Sequence, residues 1–166
     1  QLNRGWTVGK RLLQHERSSI SGLSGGGRRG RYDHFGTLSS IYQSSIDPVT
    51  QDPAGSLRRR ILSNEMNHKA FSLTQRRSFE ESQSGGTPTF LTSLFKYYGS
   101  EQGNERMELQ LEMMGHQGLG WSGESFGPDE LATTRTWLRS KASTIAGGSS
   151  EVQLNIIAKR VLGLPD

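Results

Sequence analysis

Apolar residues near the start of the chain recur at helical spacing and predict a helix from about Leu2 to Gly22. The following side chains, spaced by four, four and three residues, share one face of it: Leu12, Glu16, Ile20 and Leu23. Glu16 is unusual there because burying an unpaired carboxylate is costly. Two interpretations are open. Glu16 lies at the edge of the stripe and pairs with a basic residue, or it is a catalytic base made stronger by burial.

The rest of the pattern predicts further helices separated by glycine- and proline-rich breaks. The first of them is a short helix within 32–46, followed by helix-start signals at Asp47-Pro48 and Asp52-Pro53. A helix over Pro53–Ser82 has a stripe of predicted core residues, which are Leu62, Met66, Ala70 and Leu73. Another apolar run starts at Leu91, and a helix over Pro128–Ile145 has Leu131, Trp137 and Leu138 as predicted buried residues. Four to five helices joined by such turns predict an all-α, up-and-down helical bundle.

A glycine pair near the end of the chain leads into the last predicted helix. Ser150 has the properties of an N-cap, and Gln153 completes a capping-box pattern. Gly163 followed by Pro165 ends the helix, whose apolar residues are Val152, Ile156, Ile157 and Val161. The unpaired backbone N–H groups at its start lie beside hydroxyls and glycines, where a polar or anionic ligand can approach the backbone closely. An ordinary capped helix that binds nothing is the alternative.

Composition narrows the class of protein. The chain has 166 residues, a hydrophobic fraction of 31% and a net charge of +4, which suits one helical domain with one buried stripe per helix. Its basic residues stand in short groups between acidic ones, which favours solvated helix faces over a nucleic-acid interface. It has no cysteine, so disulfides and thiolate metal sites are excluded. No apolar run approaches a membrane span and no signal peptide is visible, so we expect a cytoplasmic protein without metal.

The C-terminal string Ala146–Pro165 resembles the end of bacterial acyl-CoA dehydrogenases, where Gly-Gly-Thr/Ser-Ser-Glu-Ile-Gln is followed by Asn-Ile-Ile and Arg-Val-Leu-Gly-Leu-Pro. The upstream segments Arg139–Ala142 and Thr144-Ile145 are similar to that family too. The resemblance implies FAD as cofactor, an acyl-CoA substrate and a tetramer. It also favours one long helix from Leu91 to about Gly115. We expect residues 1–166 to be the C-terminal helical domain, without the N-terminal helical and middle β-domains of the family.

The resemblance implies where the catalytic base lies. Members of the family oxidise an acyl-CoA to the trans-2-enoyl thioester, with a glutamate removing the α-proton while hydride leaves the β-carbon. One position for that glutamate directly precedes the Gly-Thr/Ser pair, and here it is Gly147. The other is on the first helix of this domain, before an arginine, and Glu16-Arg17 matches it. Glu16 is therefore the predicted base and Arg17 a supporting residue.

The resemblance also implies cofactor contacts. Ser149 matches the hydroxyl that bonds the flavin nucleotide, and Glu151 matches its polar neighbour. Glu112 and His116 fall where relatives contact the FAD of a partner subunit, usually with glutamine and glycine. The Arg-x-Phe-Gly pattern of many relatives is replaced here by residues 47–53. That leaves the pyrophosphate contact unassigned, and residues 58–60, all arginine, are one hypothesis for it.

Three functions stay open from the sequence. The first is a catalytic domain that works with FAD and acyl-CoA in a homodimer, a homotetramer or a hetero-tetramer with a related subunit, and an electron-transfer flavoprotein is one candidate electron acceptor. The second is a dehydrogenase-like subunit that is non-catalytic or depends on its partner, which the missing glutamate at Gly147 favours. The third is a helical interaction or nucleic-acid-binding module, supported only by the sequence pI of about 9.7.

Overall fold

The computed structural model describes residues 4–20, 38–83 and 91–165, without the side chains of residues 14, 16–20, 82 and 83. Within these ranges the chain is all-α, as predicted. Six α-helices follow one another: α1 (Gly5–Ile20), α2 (Leu38–Ser45), α3 (Ser56–Gln83), α4 (Leu91–Met114), α5 (Pro128–Ser140) and α6 (Ser150–Arg160). Two short 3-10 helices, Gly115–Leu119 and Lys141–Thr144, follow α4 and α5. The glycine-rich breaks over 24–31 and 84–88, and Leu23, lie outside the described residues.

Helix α4 is the centre of the domain, since α1, α2, α3, α5 and α6 all pack against it. It runs unbroken through Gly99 and Gly103, so the prediction of one long helix is confirmed. The ring of Phe71 on α3 explains one of these glycines, because a Cβ on Gly99 would lie only 3.0 Å from it. The same ring packs edge-on against Phe95 and tilted against Tyr98, with centroid distances of 5.6 and 5.3 Å. Close packing of α3 on α4 thus offsets the weak helix propensity of glycine.

The apolar core of the domain lies where α2, α3 and one end of α4 meet. Its buried members are Leu38, Tyr42, Ile46, Leu57, Ile61, Leu109 and Met113. Asp52 borders this core and is 5% exposed. Its carboxylate accepts hydrogen bonds from the Tyr42 hydroxyl at 3.0 Å and from the backbone N–H groups of Leu57 and Arg58 at 3.2 and 2.9 Å. Asp52 therefore caps the start of α3 and ties it to α2, in agreement with the predicted helix-start signal.

The environment of Asp52 favours its charged form. The backbone N–H of Arg58 is the main cause of a lowered pKa, and bonds from Leu57, Tyr42 and Ser56 act in the same direction against the opposing effect of burial. Gly55, which precedes the helix with φ of +61°, lets the chain turn so that these N–H groups face the carboxylate.

The predicted core face of α3 is wrong. Leu62, Met66 and Leu73 are 44, 72 and 53% exposed, and Ala70 is exposed as well. The side of α3 that faces the rest of the domain instead carries the buried residues Leu57, Ile61, Asn64 and Ser78. Helical periodicity identifies residues that share a face, but neighbouring elements decide which face is covered.

Smaller corrections concern α1 and α5. Leu12, expected on the buried face of α1, is 68% exposed. Helix α5 ends at Ser140 rather than Ile145, and Leu138 is 46% exposed, while Thr133 and Thr134 on the same helix are buried. In the described part of the chain, none of the helices combines the length and apolar character that crossing a membrane requires.

We predict that Asp52→Asn destabilises the fold in a pH-dependent way. An amide cannot accept four hydrogen bonds and turns an N–H toward other donors. The thermal midpoint at pH 7 should fall by about 2–4 °C, as for one lost cap in a domain of this size. Because the folded-state pKa lies below the ordinary value of 3.8, the contribution is complete at neutral pH and is lost as the pH falls through the folded-state value.

The two proteins should therefore converge in stability as the pH falls well below 3.8, as followed by circular dichroism. Asp129→Asn is the control, since it removes an exposed carboxylate from the first turn of α5. An equal effect of both substitutions at pH 7 would contradict the role given to Asp52.

Candidate functional site

The turn before α6 is built around two glycines in left-handed conformations. Gly147 and Gly148 have φ of +70° and +101°, which few other residues adopt. The N-cap of α6 is Ser149 rather than the predicted Ser150, and the expected capping box is absent. Ser150 instead donates its hydroxyl to Glu101 Oε1 at 2.6 Å.

Gln153 has a different task from the one predicted. It is fully buried, and its Nε2 donates to the carbonyl oxygens of Gly147 and Gly148 at 3.1 and 3.3 Å. The carbonyl groups of the turn provide partners for the buried amide nitrogen, whereas Gln153 Oε1 has none within the described residues. The side chain therefore stabilises the turn through its carbonyl groups instead of capping the helix.

Helix α4 holds the same segment from the other side. Lys96, only 1% exposed, donates its ammonium to the carbonyl oxygen of Thr144 at 3.1 Å. Glu101 accepts the bond from Ser150, and Glu108 forms a salt bridge with Lys141. Residues 141–150 are thus attached to α4 by three side chains along its length.

A cavity of about 400 Å³ lies between α4 and this segment. It contains two of the predicted cofactor residues, Ser149 and Glu151, and its charged lining consists of four glutamates and one lysine, namely Glu101, Glu105, Glu108, Glu151 and Lys141. The pKa of Glu151 is lowered, mainly by a hydrogen bond from the Ser149 side chain. The backbone N–H of Glu151 and the charge of Lys96 lower this pKa further. The cavity offers hydroxyl and carboxylate groups at the start of a helix, which suits a ligand rich in hydroxyl groups.

The other two predicted cofactor residues lie elsewhere. Glu112 and His116 line a second cavity of about 650 Å³ beside the apolar core. Arg60, within the arginine group considered for the pyrophosphate, pairs with Glu112 at 2.6 Å, and both side chains are about half exposed. The structure therefore brings Ser149 and Glu151 together, and Glu112 and His116 together, but keeps the two pairs in separate cavities.

Glu16 and Arg17 lie in α1, but their side chains are outside what the structure describes. The neighbouring His15 is exposed. The assignment of Glu16 as a base remains a prediction. Among the described residues, no group of three histidine, aspartate or glutamate side chains could hold a metal ion.

Sequence reasoning missed Lys96 and misassigned Gln153. Lys96 interrupts an aromatic run, Phe95-Lys96-Tyr97-Tyr98, at the buried side of a helix. A charged residue within an apolar stripe was the signal that singled out Glu16, and the same signal identifies Lys96. No comparable signal exists for Gln153, because its partners are backbone carbonyl groups.

The chain belongs to the acyl-CoA dehydrogenase family, since the family model described as acyl-CoA dehydrogenase, C-terminal domain, matches residues 3–162. Among its relatives are two proteins named acyl-CoA dehydrogenase IpdE1. The one from Mycolicibacterium smegmatis is 48% identical over 58 residues, and the one from Mycobacterium tuberculosis is 47% identical over 58 residues. The matched segment is 35% of this chain and spans 14% of the length of each relative. No solved structure gives a significant match.

We predict that Gly148→Ala destabilises the protein by more than the strain of a positive-φ backbone alone. A Cβ at this position would lie 2.7 Å from Gln153 Nε2, so the amide would have to leave its carbonyl partners. Gly163→Ala is the matched control, because its φ is also positive, at +65°, but a Cβ there meets no atom within 4 Å. Backbone strain alone costs about 1–2 kcal/mol per residue. Chemical denaturation should show a larger loss for Gly148→Ala than for Gly163→Ala, and equal losses would contradict the proposed crowding.

Proposed function

We propose that this chain is the C-terminal helical domain of a flavin-dependent acyl-CoA dehydrogenase that oxidises an acyl-CoA to the trans-2-enoyl-CoA. The family match over residues 3–162 carries the proposal. The placement of Ser149 and Glu151 in one cavity at the start of α6 supports it. The N-terminal helical and middle β-domains belong, in this proposal, to the same longer protein.

In each cavity, the residues present suit one part of an FAD molecule. Ser149 and Glu151 offer a hydroxyl and a carboxylate, groups suited to hydroxyl-rich parts of a nucleotide. The four glutamates around them make this cavity unsuitable for a pyrophosphate, which needs positive charge. Arg60, which does not line the second cavity but pairs with Glu112 in its wall, carries such a charge. We therefore assign Ser149 and Glu151 to one flavin and Glu112, His116 and Arg60 to the flavin of a partner subunit. When bound, FAD supplies the hydride acceptor.

Glu16 is the proposed base that takes the α-proton of the thioester. A carboxylate becomes a stronger base when it is desolvated, so a further protein surface has to cover this side of α1. The exposed apolar side chains of Trp6 and Leu12 on the same helix are suited to such a contact. Arg17, next to the base, is assigned to supporting the backbone of the site.

The exposed stripe of α3 supports assembly into a dimer or tetramer. Leu62, Met66 and Leu73 lie along one helix and are each at least 44% exposed in the single chain. Apolar residues arranged in a row on a surface are typical of a contact with another protein. We propose that a second subunit, identical or related, covers this stripe.

A non-catalytic subunit is the second candidate function. Two observations favour it, because Gly147 carries no glutamate and the segment at 47–53 has no arginine. In the structure this segment is a turn, in which Asp47 accepts bonds from Val49 and Thr50 and Asp52 caps α3. This segment therefore forms the start of α3, and it supplies no positive charge for a pyrophosphate.

The arginines of α3 give little support to nucleic-acid binding. Arg76 and Arg77 pair with Glu80 and Glu81 at 2.8 and 2.7 Å, one helical turn away. These pairs agree with a solvated helix face that carries both charges.

We predict that Glu16→Gln slows flavin reduction by acyl-CoA by at least about 10², the low end for general-base catalysis. The substitution keeps the size of the side chain but removes the basic oxygen. It should leave the flavin content of the complete protein unchanged, and stopped-flow bleaching of the flavin measures the rate.

His15→Gln is the control, because it changes an exposed neighbour on the same helix. A near-normal rate for Glu16→Gln in a protein whose wild type reduces its flavin would remove Glu16 as the base. A wild type that binds flavin but is not reduced by any acyl-CoA would favour the non-catalytic subunit.

We predict that Met66→Glu weakens assembly of the complete protein at least tenfold, since an uncompensated charge in an apolar contact is costly (roughly several kcal/mol). Sedimentation velocity over a range of concentrations measures the dissociation. Val49→Glu, which changes another exposed apolar residue in the turn before α3, should have no effect. An unchanged assembly for Met66→Glu would show that the α3 stripe is not the contact.

A further inference from the structure

The burial of Lys96 calls for a physical explanation. Lysine is rarely buried without partners, because removing an ammonium group from water costs several kcal/mol. Here the side chain is 1% exposed on the central helix, and its Nζ reaches the Thr144 carbonyl at 3.1 Å. That carbonyl belongs to the last residue of the 3-10 helix that enters the Gly147-Gly148 turn. A bond that offsets the cost of burying Lys96 is therefore made to the segment directly before Ser149.

Gln153 acts on the next part of the same segment. Its amide, which is fully buried, donates to the carbonyl groups of Gly147 and Gly148. Together the two side chains bind three backbone carbonyls within the five residues from Thr144 to Gly148. Two independent helices, α4 and α6, thus hold one short turn by its main chain.

We propose that Lys96 and Gln153 form a buried anchor that positions residues 144–150, and through them the Ser149 hydroxyl and the Glu151 carboxylate, for the cofactor. This inference rests on the proposed function. Neither anchor residue lines the cavity, so both are positioning residues and neither is a cofactor contact. The hydrogen bonds that the anchor makes to the turn go to main-chain oxygens, so they do not involve the side chains of Ser149 and Glu151.

The positive charge of Lys96 also affects the carboxylates that line the first cavity. Four carboxylates line the cavity, and the positive charge of Lys96 acts on the Glu151 carboxylate although Lys96 does not line the cavity. A neutral hydrogen-bond donor would hold the carbonyl of Thr144 but would not offset the repulsion among those carboxylates.

The test compares Lys96→Met and Lys96→Gln in the complete protein. Apoprotein is titrated with FAD, and hydrogen exchange of backbone amides is followed by mass spectrometry. Lys96→Met should weaken FAD binding at least about tenfold, the effect of one lost hydrogen bond from a charged group. Exchange should rise within 141–153 and stay unchanged in α2 and α3. Lys96→Gln, which keeps a donor without the charge, should lie between the wild type and Lys96→Met.

Lys159→Met is the control, since it removes an exposed lysine from the last turn of α6 and should leave FAD binding unchanged. Wild-type protein that binds no FAD would contradict the proposed function. Wild type that binds FAD, together with unchanged binding and exchange in Lys96→Met, would overturn the anchor. Faster exchange throughout α2 and α3 would also overturn it, because it shows a general loss of stability. If Lys96→Met does not fold, Gln153→Leu decides by the same two measurements.

Discussion

The cost of burying charged and amide groups on α4 is the constraint on which the arrangement of the domain depends. This central helix buries Lys96, Gln102, Arg106 and Gln110, whose polar groups lose water when the other helices pack around them. Burial of such groups is costly unless neighbouring segments supply partners, and within the described residues the side-chain oxygens of Gln102 and Gln110 have none. One partner of Lys96 is the carbonyl of Thr144. Moving the segment after α5 would leave the ammonium without this bond, so the burial of a lysine fixes the position of a turn.

The length of α4 also separates the two cavities. Glu101 lines the first and Glu112 lines the second, and their separation of 11 positions corresponds to roughly 16 Å along a helix. One rigid element therefore supplies a wall to each. A ligand in the first cavity meets Ser149 and Glu151, whereas a ligand in the second meets His116. The two sites are held at a fixed distance by the backbone hydrogen bonds of the helix.

Large apolar side chains are exposed on the surface of this domain as well as buried in its core. The compact core between α2, α3 and α4 is small, while Trp6, Leu12, Met66 and Leu73 are all more than half exposed. A fold with a partly polar centre and apolar outer faces on α1 and α3 is suited to a larger assembly, in which those faces are covered. The mean hydropathy of −0.64 agrees with a domain of this kind.

The sequence by itself determined the helical class from periodicity and turn residues, and the resemblance of its ordered C-terminal string indicated the family and, through it, the unbroken course of α4. It also placed a helix-start signal at Asp52-Pro53, since capping is local. Only the tertiary structure decided that Met66 is exposed, that Gln153 supports the turn instead of capping α6, and that Glu112 and Ser149 belong to different cavities. These outcomes depend on contacts between residues far apart in sequence, and a local pattern cannot specify which polar group meets which carbonyl.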